Sequence, residues 1–289
     1  MSDNLPMPIA GPLTNAQQTM VINLVRRAAR AEIMPRFRKL DSGEVSKKSS
    51  VSDLVTKADT AAEAMITRGL QIAFPSALIV GEEAVETDPK LLDKIGDADL
   101  CFLIDPVDGT WNFANGMPVF GTMIAVCRFG VPAFGLIYDP VGDDLILTDD
   151  KGRAQHRAAS GRNRTLATAG EKPLAELSGY GETWLMPEDV RTVAANRFSE
   201  FQSVTSLGCS AYHYRLLAQG AVDFVLASKL SPWDHAAGVL LCKQSGGHAA
   251  MLDGKDYNAT RREGYLLCAS SRAVWETVGT QLSDLHATG

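Results

Sequence analysis

The chain has 289 residues, 45% hydrophobic and 21% charged, which suits one large core or two modest ones and excludes a disordered or low-complexity chain. A net charge of −6, with no basic block longer than the Arg26-Arg27 and Lys47-Lys48 pairs, argues against nucleic acid as a bulk partner. No apolar run approaches the roughly 18 residues of a membrane span and no signal-peptide pattern is visible. The five scattered cysteines sit mostly in apolar runs as reduced thiols do, so a cytoplasmic protein is expected.

In chain order, residues 1–12 read as a loose leader. Thr14 followed by Gln17 has the form of a capping box, and Val21, Leu24, Val25, Ala28 and Ile33 supply the buried face of a helix. Residues 41–52 are small and polar, with Gly43, Lys47, Lys48, Ser49 and Ser50, and predict a mobile surface loop. A short strand at 54–56 leads to a helix starting at Thr60, with Asp59 as its N-cap and Pro75 as its stop. Residues 77–80 predict a strand ending in a Gly81-Glu82-Glu83 turn. Residues 100–104 predict a buried strand that Pro106 ends, and Gly109-Thr110 opens a helical turn. Three β-rich stretches follow at 119–128, 131–138 and 145–148, with turns at Gly130-Val131-Pro132 and Gly142-Asp143.

From about Arg153 the pattern alternates. It places a strand near 165–169, a helix near 187–198, a strand near 201–205 and a helix near 211–219. A strand at 222–226, a helix at 235–244 and a final strand and helix complete the chain. The prediction is an α+β first lobe, residues 1–153, with an antiparallel sheet and most of the candidate ligands, and an α/β second lobe, residues 154–289, that completes the site, the alternative being that the basic, turn-rich stretch 151–164 lies inside a hairpin.

Acidic residues close several of these apolar elements: Asp59, Glu82 with Glu83, Asp105 with Asp108, and Asp234. Each has a plain structural use, Asp59 and Asp234 as helix caps and the others as turn residues. Yet the five fixed positions of Asp105-Pro106-Val107-Asp108-Gly109-Thr110 arise by chance in about one chain of this length in 10^4. Were the side chains to converge, two like charges roughly 4 Å apart would repel by about 4 kcal/mol at an effective dielectric near 20, so cations are needed. The donors are hard oxygens and no Cys/His pair has zinc spacing, which favours magnesium, with manganese as substitute, over zinc. Two or more such ions can clamp a phosphate and activate water, chemistry suited to phosphate monoester hydrolysis.

The Asp105 to Thr110 motif, the run Trp233-Asp234-His235-Ala236-Ala237-Gly238, the Gly246-Gly247 pair, the Gly81-Glu82-Glu83 turn and the Asp53-Leu54-Val55-Thr56 approach to Asp59 together resemble the inositol monophosphatase family. The likeness spans roughly residues 14–283. It implies a layered αβαβα sugar-phosphatase fold, often a homodimer, that uses two or three Mg2+ ions and is inhibited by Li+. It implies that Glu82, Asp105 and the Val107 carbonyl hold one ion, that Asp105, Asp108 and Asp234 hold a second, and that Glu82 helps hold a third. Thr110 with Asp59 would orient or deprotonate the attacking water. The Gly109 and Thr110 N–H groups would hold the phosphate, and the Lys47/Lys48 loop would close near the metals.

Gly208-Cys209-Ser210 resembles the family's substrate-facing loop, and Asp234 would also meet a hydroxyl of the alcohol. Inositol-selective members carry a glutamate six residues before the Trp of the second motif, where this chain has Ala227, so broad or non-inositol specificity is expected. His213, His235 and Trp233 read as packing or surface residues rather than catalytic ones. The expected function is a Mg2+-dependent phosphomonoesterase for a small polyol or sugar phosphate, of inositol-1-phosphate type. Histidinol-phosphate phosphatase, fructose-1,6-bisphosphatase and 3'-phosphoadenosine nucleotidase are the alternatives. A scaffold in a transcription- or ribosome-linked complex is the alternative of another class. The expected partner is a small phosphorylated metabolite, with neither nucleic acid nor membrane.

Overall fold

The computed structural model describes residues 13–41, 43–47, 54–149 and 151–286, so the expected leader and Lys48 lie outside the described residues. Helix α1 (Asn15–Ala28) begins at the expected box: Gln17 N donates to Thr14 Oγ1 at 3.3 Å, and Thr14 N donates to Gln17 Oε1 at 2.8 Å. The polar stretch after it is not all loop. Strand β1 (Val45–Lys47) pairs antiparallel with β2 (Leu54–Thr56), because the β-branched residues Val45, Val55 and Thr56 fit a ladder.

Helix α2 (Lys57–Ala73) starts earlier than expected. Its N-cap is Thr56, and Asp59 occupies the third helical position of a second capping box. Strand β3 (Leu78–Gly81) runs straight into helix α3 (Glu82–Thr87), so Glu82 opens a helix where a turn was expected. Strand β4 (Cys101–Asp108) passes through Pro106 instead of stopping there, and the short helix α4 (Thr110–Ala114) follows Gly109. Strands β5 (Gly121–Arg128), β6 (Val131–Asp139) and β7 (Asp144–Thr148) form the expected meander. The sheet does not end there. Strands β8 (Ala154–Arg157) and β9 (Asn163–Thr165) extend it, giving seven strands in the order β3-β4-β5-β6-β7-β8-β9, all antiparallel except β3 with β4. The change of sequence pattern near Arg153 therefore precedes the change of sheet, which falls after Thr165.

The second sheet draws on β10 (Ser178–Gly181), which sequence pattern did not mark, and, beyond helix α5 (Glu188–Phe198), on β11 (Ser203–Thr205). Helix α6 (Ser210–Ala218), strand β12 (Phe224–Ala227), helix α7 (Pro232–Gln244), strands β13 (His248–Met251) and β14 (Leu266–Ala269) and helix α8 (Arg272–Gln281) complete the chain. Its order is β11-β10-β12-β14-β13, with β10 parallel to both neighbours and the other pairs antiparallel. Helix α7 begins at Pro232 after Ser231, so Asp234 sits within its first turn rather than capping it.

Alternation along the strands builds the layers. On β4, Phe102 and Ile104 face the core formed with α1 and α2, while Cys101 and Leu103 face the core shared with α6 and α7. On β12, Val225 joins that shared core and Phe224 and Leu226 pack outward against α5 and α8. The result is an αβαβα stack in which both sheets bury both faces. All five cysteines are free and buried. Among the described residues no helix is long and apolar enough to cross a membrane.

Candidate metal centre and active site

The centre starts from an irregularity in β4. Asp105 pairs with Met123 and Asp108 with Gly121, so three steps on β4 face two on β5 and one residue is extra. In a regular strand, residues three apart point to opposite faces; the extra residue returns Asp105 and Asp108 to the same side. It also accommodates Pro106, which has no N–H to give a ladder and whose carbonyl accepts from Thr122 Oγ1 at 2.8 Å. The strand then breaks at Gly109, whose φ of 87° is left-handed, and α4 begins at Thr110. Asn112 fastens this helix to the loop before α6, donating through Nδ2 to Val119 O at 2.9 Å and Leu207 O at 2.7 Å.

The first turn of α7 brings Asp234 to the same place, and carboxylate oxygens of Asp105, Asp108 and Asp234 lie within 4.8 Å of one another. Burial and the surrounding acids set their titration. Burial pushes the Asp105 carboxyl well above the ordinary carboxylate range, and the charges of Glu82, Asp108, Asp234 and Asp59 push it further. Asp108 is raised to about 7 by burial and by Asp234, despite bonds from Cys209 Sγ at 3.0 Å and from the backbone N–H groups of Ser210 and Ala211.

Asp59 approaches from α2. Its Oδ2 accepts from Thr56 N at 2.9 Å and Thr56 Oγ1 at 2.5 Å, which leaves Oδ1 facing Thr110 Oγ1 at 3.2 Å. Thr110 Oγ1 also lies 2.9 Å from Val107 O. Burial, then Glu82 and Glu83, raise Asp59 to about 7 against the Thr56 bonds. Glu63, one turn further along α2, takes Glu83 N at 2.9 Å and Ala84 N at 2.8 Å, so it anchors the start of α3 and with it Glu82. The structure thus brings Asp59, Glu82, Asp105, Asp108, Asp234, Val107 and Thr110 to one end of the first sheet.

Gly208 and Ser210 flank Cys209 at the entry to α6, against Asp108 of this cluster. Beyond Asp234 a small cleft is lined by Ser210, His213, Ala227, Lys229, Glu182 and His235, among others. Both histidines are built in: His213 Nε2 accepts from Leu207 N at 3.0 Å, and His235 bridges Tyr214 OH and Lys229 O. Burial lowers them to about 3 and about 4, so both rings are neutral at pH 7, and Trp233 packs in the core. Three contributors escaped the sequence: Thr56, Glu63 and Glu182. Only Glu63 left a trace, as a second acid four residues after Asp59 on the face that carries Ala62 and Ile66.

The donor set fits a hard divalent cation: carboxylates and one carbonyl, buried together, carrying a mutual repulsion that a cation relieves. A three-layer stack of helices enclosing two sheets, with an oxygen-only acid cluster at a bulged strand end, defines a metal-competent α/β sugar-phosphatase class of site. The inositol monophosphatase family model matches residues 15–286, and the chain belongs to that family. It is 29% identical over 257 residues to an inositol-1-monophosphatase of Bacillus subtilis, covering 86% of this chain and 89% of the relative. It is 30% identical over 274 residues to the Nus factor SuhB of Escherichia coli K12, covering 92% and 97%. A Thermotoga maritima relative named as fructose-1,6-bisphosphatase/inositol-1-monophosphatase is 26% identical over 238 residues, covering 82% and 86%. Among solved structures, an inositol monophosphatase from Zymomonas mobilis superposes with a TM-score of 0.76 at 23% identity, over 94% of this chain and 100% of that one, which speaks for the fold. The chain is therefore a phosphatase of this metal-dependent superfamily.

Proposed function

We propose that the protein is a Mg2+-dependent phosphomonoesterase that releases a small polyol from its phosphate ester, with inositol 1-phosphate as the leading substrate. The observation that carries this reading is the convergence of Asp105, Asp108 and Asp234, whose carboxylate oxygens lie within 4.8 Å of one another, at a strand end where burial and then neighbouring acids hold Asp105 above the ordinary carboxylate range. Glu82, Asp105 and the Val107 carbonyl would hold one ion, Asp105, Asp108 and Asp234 a second, and Glu82 would help with a third. Bound there, divalent ions supply charge compensation, polarise phosphate oxygens and make a coordinated water more acidic.

The protein's own groups do the rest. Thr110 donates its hydroxyl proton to Asp59 Oδ1, which leaves its oxygen lone pairs to accept from the attacking water and aim it. Burial holds the Asp59 carboxyl above the ordinary carboxylate range, which favours proton uptake there. The N–H groups of Gly109 and Thr110 open α4 and would meet phosphate oxygens. Gly208, Ser210 and Asp234 would contact the departing alcohol. Ala227 offers no hydrogen bond there, which favours a broad choice of alcohol.

The test is phosphate release with Mg2+ from inositol 1-phosphate, histidinol phosphate, fructose 1,6-bisphosphate and 3'-phosphoadenosine 5'-phosphate, with and without millimolar Li+. A more than tenfold preference for any of the last three displaces the leading substrate. A second reading comes from the 30% identity to the Nus factor SuhB: a role in a transcription-linked complex besides, or instead of, hydrolysis. Full biological function in a phosphatase-dead Asp105→Asn strain would favour it.

A further inference from the structure

We propose that Glu182 is a specificity-determining residue, accepting a hydrogen bond from a hydroxyl or ammonium group of the substrate's alcohol and turning away alcohols that carry a second anionic group. The proposal rests on the phosphomonoesterase reading and adds which side chain sorts the alcohols.

Glu182 follows directly on β10, which runs parallel to β12 with Gly181 beside Leu226. Continuing that register by one residue sets Glu182 next to Ala227. The carboxyl ends of parallel strands are where an open sheet presents groups to a ligand, and both residues line the cleft together with Asp234. Ala227 ends at a methyl group, so in this stretch of wall the carboxylate comes from the neighbouring strand.

Half-buried Glu182 is held but not used up. Gly208 N donates to Ser206 Oγ at 2.9 Å, and Ser206 Oγ donates to Glu182 Oε1 at 2.7 Å. One donor occupies one of about four acceptor positions on a carboxylate. The relay runs through the loop that carries Gly208 and Ser210, so the carboxylate is fixed relative to the groups assigned to the alcohol. The charges around the cleft then set the preference. Glu182 and Asp234 are acidic, His213 and His235 are structurally bonded rings, and the cation lining the cleft is the exposed Lys229. A neutral or cationic hydrogen-bond donor is accepted by such a wall; a second phosphate meets the Glu182 carboxylate, whose charge no assigned metal ion offsets.

The test uses the full chain with Mg2+ and four substrates: inositol 1-phosphate, histidinol phosphate, fructose 1,6-bisphosphate, and p-nitrophenyl phosphate, whose alcohol has no donor. Glu182→Ala should raise KM for inositol 1-phosphate and histidinol phosphate by about tenfold or more while leaving kcat/KM for p-nitrophenyl phosphate within about twofold. Glu182→Gln keeps an acceptor for Ser206 but removes the charge, so it should narrow the gap between fructose 1,6-bisphosphate and inositol 1-phosphate. A larger loss for histidinol phosphate than for inositol 1-phosphate in that variant identifies an ammonium partner; equal losses identify a hydroxyl. Ser206→Ala serves as the control for loop support. If p-nitrophenyl phosphate turnover falls in parallel with that of the other substrates in Glu182→Ala, as it does in Ser206→Ala when the loop is lost, Glu182 only supports the loop and the proposal is overturned. An active wild type whose substrate ratios are unmoved in both Glu182 variants overturns this inference alone. A wild type that releases phosphate from none of the four overturns the phosphatase reading and this inference with it.

Discussion

The site has two walls, the acidic cluster and the lining of the cleft beyond Asp234, and they are made differently. The acidic wall is written mainly into six consecutive residues, Asp105 to Thr110, on a strand buried on both faces, and is completed by single residues at the starts of α2, α3 and α7. The opposite wall gathers Glu182, Ser206, Gly208, Ser210 and Ala227 from strand ends and a loop of the second sheet. A bulge locked between neighbouring strands admits little variation. A wall built from loops and strand ends can change one residue at a time. The comparison teaches that, on the proposed reading, chemistry and choice of substrate draw on different elements of this molecule, with Asp234 shared between them.

Substitutions in the acidic wall should therefore act alike on every substrate, and those in the other wall should not. The largest effect is expected for Asp105→Asn, which removes charge from the carboxylate that four others surround: kcat should drop by at least about 10^2 for all substrates at saturating Mg2+. Loss confined to one substrate, measured by phosphate release, would break the comparison. Thr110→Ala should come next, lowering kcat by roughly tenfold or more while the Mg2+ concentration for half-maximal rate stays within about twofold, since its hydroxyl faces Asp59 and the water. Equal losses in rate and metal affinity would assign Thr110 to the metal instead.

Glu63→Gln tests the support beneath the wall. The new amide cannot accept from both Glu83 N and Ala84 N, and one buried N–H left unpaired should cost about 1–3 kcal/mol in urea denaturation. It should also weaken Mg2+ binding through Glu82, and unchanged stability would show that α3 is anchored otherwise. The smallest effect is a shift with pH. Glu63 is raised to about 7 by burial, against the Glu83 and Ala84 bonds, and Asp59 likewise to about 7 by burial. Between about 4 and about 7 the folded protein keeps protons that the unfolded chain has released, so these groups make stability fall as pH rises through that window, and the deficit persists above it. Buried His213 and His235 act in the opposite sense, since their lowered values make stability rise between about 4 and 6.5. The gain in Tm on adding Mg2+ isolates the acids: it should be larger at pH 8 than at pH 5.5, by calorimetry, and the reverse order would contradict the assignment.

Much of the acidic wall was legible in the sequence because its residues are local. Asp105, Asp108 and the Gly109-Thr110 helix start form one motif, and an acid at the end of each apolar run marks Glu82 and Asp234. Pro106 misled because the rule that it ends a central strand holds for a regular ladder, and here the strand is bulged. Asp59 was expected at the N-cap and stands three positions later, at the third helical residue, since Thr56 and Asp59 share a box whose cap is the threonine. The other wall was mostly silent. Glu182 lies in a stretch whose strand, Ser178–Gly181, includes two glycines and no apolar run, and its meaning arises only when β10 and β12 align. The sheet boundary stayed open between Arg153 and a hairpin over 151–164 for a related reason: the exposed strand Asn163–Thr165 shows no apolar alternation, so only pairing reveals it.

The central claim is that the carboxylate cluster is a metal centre, and direct titration tests it before any substrate is chosen. Mn2+ binding followed by electron paramagnetic resonance should give two or more ions per wild-type chain, displaced by Mg2+, and a loss of at least tenfold in affinity for Asp105→Asn. Wild-type-like Mn2+ binding in that variant would contradict the account.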